Sequence, residues 1–348
     1  METAYIRRKV LMIISFAVVA YNEEETLPRL LEDLRNQDYP HEKIEVLLID
    51  SMSSDSTWQI MQDFAENNKD FLKVLTLKNE KKTLPFGCNV ALKNYSGQAI
   101  VRIDAHASIP MDFISKNVRL LQSGESVCGG KRPNIIDEDT PWKNTLLLAE
   151  QSMFGSGISV YRSSDKKRYV SSIFHGMYRR EVYDKVGLYN ELLTRTEDND
   201  MSYRITEAGY KICYDPDIIS YQHTRNTLYK MLRQKYLNGY WIGKTMGINP
   251  KCFSLFHFVP LAFVLGIILT TVLAFLGFPI LSALMWAVYG LLVIGISVIE
   301  IVKRPFSPTN LLLPVLFFLL HTSYGIGTLK GIIEMPFWIR KLKRTNNI

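Results

Sequence analysis

The sequence lacks the signatures of the commonest nucleotide and metal sites. No GxGxxG follows the first strand-like run and no GxxxxGK occurs, which excludes a dinucleotide fingerprint and a P-loop. Four cysteines (Cys88, Cys128, Cys213 and Cys252) are widely spaced, with no CxxC pair. Neither a zinc site nor a disulfide framework is indicated, as befits a reducing compartment. Internal repeats and low-complexity stretches are missing too. The most informative absence is charge. From Phe253 to Ile299 there is no Asp, Glu, Lys or Arg, a run of 47 residues, enough for two membrane spans at about 20 residues each. Gly277-Phe278-Pro279 offers a tight turn between them. After Lys303-Arg304, a further stretch without charge runs from Thr309 to Thr328. It is either a third span or a re-entrant or interfacial segment.

Acids are also missing between Arg225 and Cys252, where Arg225, Lys230, Arg233, Lys235, Lys244 and Lys251 are interleaved with Tyr229, Tyr236, Tyr240 and Trp241. Basic and aromatic residues just before a first span suit the headgroup region of an anionic leaflet and argue against a nucleic-acid partner. The positive-inside rule places residues 1–252 in the cytoplasm, with Lys303-Arg304 on the same side. Three spans would put Arg340, Lys341, Lys343 and Arg344 outside, which the rule disfavours. Arg7-Arg8-Lys9 followed by Val10 to Ala20 imitates a signal peptide, but that apolar run leads directly into a motif the fold needs. The segments expected are a cytoplasmic domain (1–225), a basic aromatic juxtamembrane segment (226–252), a transmembrane region (253–333) and a basic tail (334–348).

The first half alternates strand and helix signals. Ile13–Ala20, Ile44–Ile49, Leu72–Leu77 and the run ending at Asp104 read as buried strands. Between them, Leu27, Leu30, Leu31 and Leu34 mark one helix, expected to be capped by Asn22. Ile60, Met61, Phe64 and Ala65 mark a second helix, and a third lies near Pro85–Tyr95. This alternation makes a doubly wound, mostly parallel α/β sheet. Further on, Val127–Gly130, Ser171–Phe174 and Tyr210–Tyr214 are expected strands. Arg179–Val186 and Asp198–Ala208 are expected helices, the second stopping at Gly209.

Three strand ends in succession carry polar signatures: Ala20-Tyr21-Asn22-Glu23, Asp50-Ser51-Met52-Ser53-Ser54-Asp55 and Asp104-Ala105-His106. Ligands of open α/β sheets bind at that edge. Alternation puts Asp104 and His106 on one side of an extended backbone. A carboxylate and an imidazole together suit a divalent cation, the imidazole tilting the choice from Mg²⁺ toward Mn²⁺. A plain polar turn is the alternative.

FAVVAYNEEETLPRLL, VLLIDSMSSDST, VRIDAH, FHGMYRREVYDKVGLY, TEDNDMSYRITEAGY and the later His223 stand in the order seen in the inverting family 2 nucleotide-sugar glycosyltransferases. The chain resembles most the membrane-attached members that build succinoglycan and capsule repeat units. The resemblance covers roughly residues 13 to 240. It implies a GT-A-like fold, a Rossmann-like nucleotide half joined to an acceptor half. It also implies nucleotide-sugar contacts at Ala20, Tyr21, Glu23, Asp50, Asp104 and Ala105. Mn²⁺ or Mg²⁺ would be held by Asp104 and His106, with His223 as a second imidazole ligand. Many members carry aspartate where His106 stands.

The resemblance makes Asp198 of the Glu197-Asp198 pair the general base. Acids favoured by a helix macrodipole are the alternative explanation of that cluster. The QxxRW motif of processive synthases is missing, since Gln234 is followed by Lys235-Tyr236-Leu237-Asn238, which favours transfer of one sugar per event. Arg233, Lys235 and Glu197 would then touch acceptor or diphosphate, unless the two cations lie on lipid headgroups. The implied activity is an inverting, metal-dependent hexosyltransferase at the bacterial cell membrane. It would act on a polyprenyl-diphosphate-linked saccharide or, alternatively, directly on a polyprenyl phosphate; a membrane-anchored nucleotide-binding regulator without catalysis is the remaining alternative.

Overall fold

The computed structural model describes residues 11–156, 165–224 and 227–345; Arg7, Arg8, Lys9, Val10 and Arg225 lie outside the described residues. The chain divides into two compact units. One comprises residues 1–132, 164–191 and 204–221, and the other residues 133–163, 192–203 and 222–348.

The first unit is built on eight strands: β1 (Ile14–Ala20), β2 (Ile44–Asp50), β3 (Lys73–Lys78), β4 (Ala99–Asp104), β5 (Val127–Lys131), β6 (Arg168–Val170), β7 (Met177–Arg179) and β8 (Ile212–Ile219). They pair in the order β3-β2-β1-β4-β7-β5-β8-β6. β1 is parallel to both β2 and β4, with Ala20 opposite Asp50 and Val19 opposite Asp104. Three strand ends are thereby brought level along one edge. Every residue of β2 is buried, as expected of a parallel strand covered on both faces.

Among the helices, α1 (Leu27–Arg35), α2 (Thr57–Asn67), α3 (Leu84–Asn94) and α4 (Phe113–Gln122) alternate with these strands. Leu27, Leu30, Leu31, Leu34, Met61, Phe64, Phe113 and Val118 join Phe16, Val18, Val46 and Leu48 in one core. At the opposite sheet edge the buried Glu45 carboxylate accepts from Ser15 Oγ (2.5 Å), Ser96 N (2.7 Å) and Ser96 Oγ (2.9 Å). It ties β1, β2 and the approach to β4 together.

Three local expectations need correction. Asn22 does not cap α1, which starts at Leu27 after Thr26; its side chain instead accepts from the Ser54 N–H at 2.8 Å. Ser171–Phe174 is not a strand. The extended segment falls at Met177–Arg179, antiparallel to both β4 and β5, beyond the turn at His175-Gly176. The strand expected at Tyr210–Tyr214 begins at Ile212 and runs on to Ile219 past Asp215-Pro216, with a register irregularity that accommodates the proline.

The longer of the other helices are α5 (Pro141–Gln151), α6 (Arg180–Val186), α7 (Glu197–Glu207), α8 (Leu228–Thr245), α9 (Val259–Phe275), α10 (Pro279–Val302) and α11 (Leu313–Thr345). Gly209 follows α7 at φ 89°, the expected stop. Apart from α6 and the end of α7, these helices form the second unit. Three segments, 255–275, 279–302 and 308–344, are long and apolar enough to cross a membrane.

Candidate active site

The loop after β1 is folded onto the loop after β2. Asn22 N donates to Ser53 Oγ (2.9 Å) and Glu23 N to Thr57 Oγ1 (2.8 Å). Asp50 is buried at the end of β2, accepting from Ser53 N at 3.0 Å. Asn22, Met52 and His175 all hold positive φ. Such conformations cost free energy and persist where surrounding contacts over-determine them. Tyr21 is 53% exposed at this edge, open to stack on a ligand, whereas Ala20 and Ala105 are buried and offer backbone only.

The third strand end carries the charge. Asp104 lies 3.8 Å from Arg102 Nη2 and 3.3 Å from His175 Nε2. Burial pushes its carboxyl up, but Arg102, the bond from His175 and the charge of His106 outweigh this and hold it well below the usual carboxylate range. His175 is buried, and burial lowers its pKa against the opposing pull of Asp104. Its Nε2 lies 3.3 Å from the carboxylate and 3.5 Å from the Asp104 backbone nitrogen, and its Nδ1 pairs with Ser220 Oγ at 2.9 Å. His106 Nδ1 meets Glu23 Oε1 at 3.1 Å, and Glu23 Oε2 accepts from Thr26 Oγ1. The structure therefore unites Glu23, Asp104 and His106 at one edge and adds His175, which the FHGMYRREVYDKVGLY segment contained without a role, and Ser220.

Among the described residues, no three His, Cys, Asp or Glu side chains gather as a ready-made cation site. The donor set nevertheless fits a partial one. Asp104 is held ionised, and His106 would present Nε2 while Glu23 holds Nδ1, with further oxygens supplied by a bound diphosphate. His223 belongs to the helical unit, where its Nδ1 pairs with Asp137 Oδ1 at 2.6 Å.

The helical unit carries the acidic start of α7. Glu197 and Asp200 are buried, and Asp200 accepts from Asn249 Nδ2 at 2.8 Å. Thr196 Oγ1 bonds Thr245 Oγ1 at 2.6 Å, pinning this start to α8. Asp198 is only half-buried, so of the three acids it is the one an incoming hydroxyl can reach. On α8, Arg233 is exposed while Lys235 is buried. Lys235 therefore does not lie out on lipid headgroups.

Comparison with known proteins decides what this edge belongs to. Residues 15–187 match the family described as Glycosyl transferase family 2. Residues 15–187 carry a family 2 glycosyl transferase domain. Over 331 residues it is 26% identical to the dolichyl N-acetyl-alpha-D-glucosaminyl phosphate 3-beta-D-2,3-diacetamido-2,3-dideoxy-beta-D-glucuronosyltransferase of Methanococcus voltae, covering 92% of this chain and 97% of that protein. It is also 26% identical over 197 residues to succinoglycan biosynthesis protein ExoA of Rhizobium meliloti (strain 1021), 55% of this chain and 57% of that one. The fold matches the mannosyltransferase PcManGT of Pyrobaculum calidifontis, solved with GDP-Man and Mn²⁺, at a TM-score of 0.58 and 18% identity over 94% and 88% of the two chains. The family match covers the strand ends of β1, β2 and β4, the edge to which the sequence assigns the donor.

Proposed function

We propose that this family 2 glycosyltransferase moves one sugar, with inversion, from a nucleoside-diphosphate sugar to a saccharide already carried on a polyprenyl-type phosphate or diphosphate lipid. The observation that carries the reading is the Asp104 carboxylate, held ionised by Arg102 and His175 at the end of β4 beside His106 and Glu23. An acid kept charged at this edge would repel a diphosphate by itself, and so suits a nucleoside-diphosphate donor that arrives with a divalent cation. A relative named for a dolichyl-phosphate-linked sugar acceptor and matched along nearly its whole length supports the lipid-linked class, as do the apolar helices.

In this reading Asp50 and Glu23 hydrogen-bond the nucleoside, and Tyr21 covers it. Asp104 and His106 would hold a divalent cation, which when bound supplies Lewis-acid stabilisation to the departing diphosphate. Asp198 takes the proton of the acceptor hydroxyl as that oxygen bonds the anomeric carbon and the bond to the nucleoside diphosphate breaks. Attack on the face opposite the leaving group inverts the anomeric centre.

The test is a screen of detergent-purified protein with Mn²⁺ and a panel of nucleotide sugars. Acceptors would be a polyprenyl phosphate, a polyprenyl-phosphate monosaccharide and a polyprenyl-diphosphate saccharide. Transfer to a sugar-bearing lipid with inverted configuration is expected. Transfer only to the bare phosphate would overturn the acceptor assignment, and a retained configuration would overturn the mechanism.

A further inference from the structure

The 33-residue helix α11 is longer than a span needs. Its second half is seated on α8. A Cβ at Gly239 would meet the Tyr324 carbonyl oxygen at 2.1 Å, one at Gly327 the Tyr236 oxygen at 2.1 Å, and one at Gly331 the Tyr240 oxygen at 2.1 Å. Gly243 is as close to Thr328 and Ile332, and the Trp241 and Trp338 rings meet edge-on at 6.0 Å. The partners advance together along both helices, so α8 runs parallel to residues 324–339 and at the same depth.

That depth is set by α8. It carries Lys230, Arg233, Lys235 and Lys244 with no acid, and lysine or arginine is strongly disfavoured in the hydrocarbon. Lys244 lies over Tyr240, Trp241 and Trp338, a basic and aromatic grouping typical of the headgroup layer. The sole acid of α11, Glu334, accepts from Tyr240 Oη at 2.5 Å. Glu334 stays partly exposed and also pairs with Lys330 at 3.8 Å, but it is outnumbered on the pair by exposed Lys230, Arg233, Arg340, Lys341, Lys343 and Arg344.

The first half of α11 does not follow the α9–α10 hairpin to its tip. A Cβ at Gly325 would touch the Pro260 carbonyl oxygen at 2.2 Å, at the very start of α9. Leu313, Leu316, Phe317 and Leu320 cluster with Tyr289, Val293, Ile296 and Ile301 of α10, and Phe318 reaches Trp286 at 5.9 Å, still short of the hairpin turn. Around the hairpin turn, Phe275, Leu276, Phe278 and Ile280 stay exposed. Residues 313–323 alone measure about 16 Å as helix, half of the roughly 30 Å hydrocarbon core.

We propose that α11 does not cross the bilayer. Bound along α8, it lies on the anionic headgroup layer of the leaflet from which α9 enters, so the chain has two spans, α9 and α10, and residues 340–345 share the side of Lys303. The positive-inside rule is then satisfied by every basic cluster. The inference rests on the reading of the protein as membrane-attached, not on its transferase chemistry.

The test uses the full chain in bacterial cells with single added cysteines, Phe278→Cys, Lys303→Cys or Lys343→Cys. A membrane-impermeant maleimide is applied before and after permeabilisation. Background is low because Cys88, Cys128 and Cys213 are buried, and burial pushes Cys213 up to about 11 and Cys252 up to about 12. Lys343→Cys should label under the same condition as Lys303→Cys and the opposite condition from Phe278→Cys. Labelling of Lys343→Cys together with Phe278→Cys, and apart from Lys303→Cys, would make α11 a span and overturn the proposal. If all three behaved alike, the hairpin itself would not cross, and the membrane reading beneath the proposal would fall with it.

Discussion

The sheet unit buries charge, and the helical unit exposes hydrocarbon. Glu45 and Asp50 are each at most 2% exposed, whereas Phe275, Ile280 and Leu291 are 74% exposed or more. A buried carboxylate survives only where hydrogen bonds replace water, and the sheet unit supplies them at both of its edges. An exposed apolar helix is stable only where the solvent is itself apolar. The two regions thus differ in their outer surfaces, although the helical unit too buries hydrogen-bonded acids, Glu197 and Asp200, at the start of α7.

The comparison breaks most severely at Asp104. Asp104→Asn removes the charge that Arg102 and His175 surround, and nucleotide-sugar affinity with Mn²⁺ should fall about 100-fold, the scale of a charge-assisted contact. Calorimetric titration of the detergent-solubilised protein measures this, and unchanged affinity would remove Asp104 from the donor site. A smaller loss, about 10-fold, is expected for His175→Asn, because asparagine tolerates the positive φ but frees the carboxylate to reorient. Restoration of affinity by His175→Gln would show that one hydrogen bond is what matters.

Stability should respond at the other edge of the sheet. Glu45→Gln sets amide hydrogens against the donors of Ser15 and Ser96, and should cost about 1–3 kcal/mol in chemical denaturation followed by sheet-unit circular dichroism. Donor affinity should be unchanged. In the helical unit, Gly331→Leu would drive a side chain into the Tyr240 backbone and part α8 from α11, costing a similar or smaller amount, about 1–3 kcal/mol. Protease sensitivity between residues 303 and 345 should rise in liposomes while donor binding persists. Loss of donor binding in Gly331→Leu would mean the two units are not energetically separate.

Much of this was legible in the residues. Short β-branched runs that end in Asp or Asn marked β1, β2 and β4, because parallel strands are buried on both faces and stop where the polar edge begins. What escaped depended on distant partners. Asn22 looks like a helix cap, yet its side chain turns to Ser54, 32 residues away. His175 meets Asp104 across 71 residues of sequence, and only its place in a His-Gly turn hinted at an unusual backbone. β8 runs through a proline that reads locally as a stop. The stretch from Thr309 to Thr328 announced itself as apolar, but its course is set by glycines on two helices that only folding brings together.

The assignment of Asp198 as the proton acceptor is the central chemical claim, and one pair of measurements on Asp198→Asn tests it. The substitution keeps volume and most hydrogen bonding. Sugar transfer should fall about 10²- to 10⁴-fold while nucleotide-sugar affinity with Mn²⁺ stays at the wild-type value, since the proposed donor contacts all lie at the ends of β1, β2 and β4. Transfer near the wild-type rate would contradict the account, leaving the acids of α7 as helix-start charges and sending the search for a base to Glu197 and Asp200.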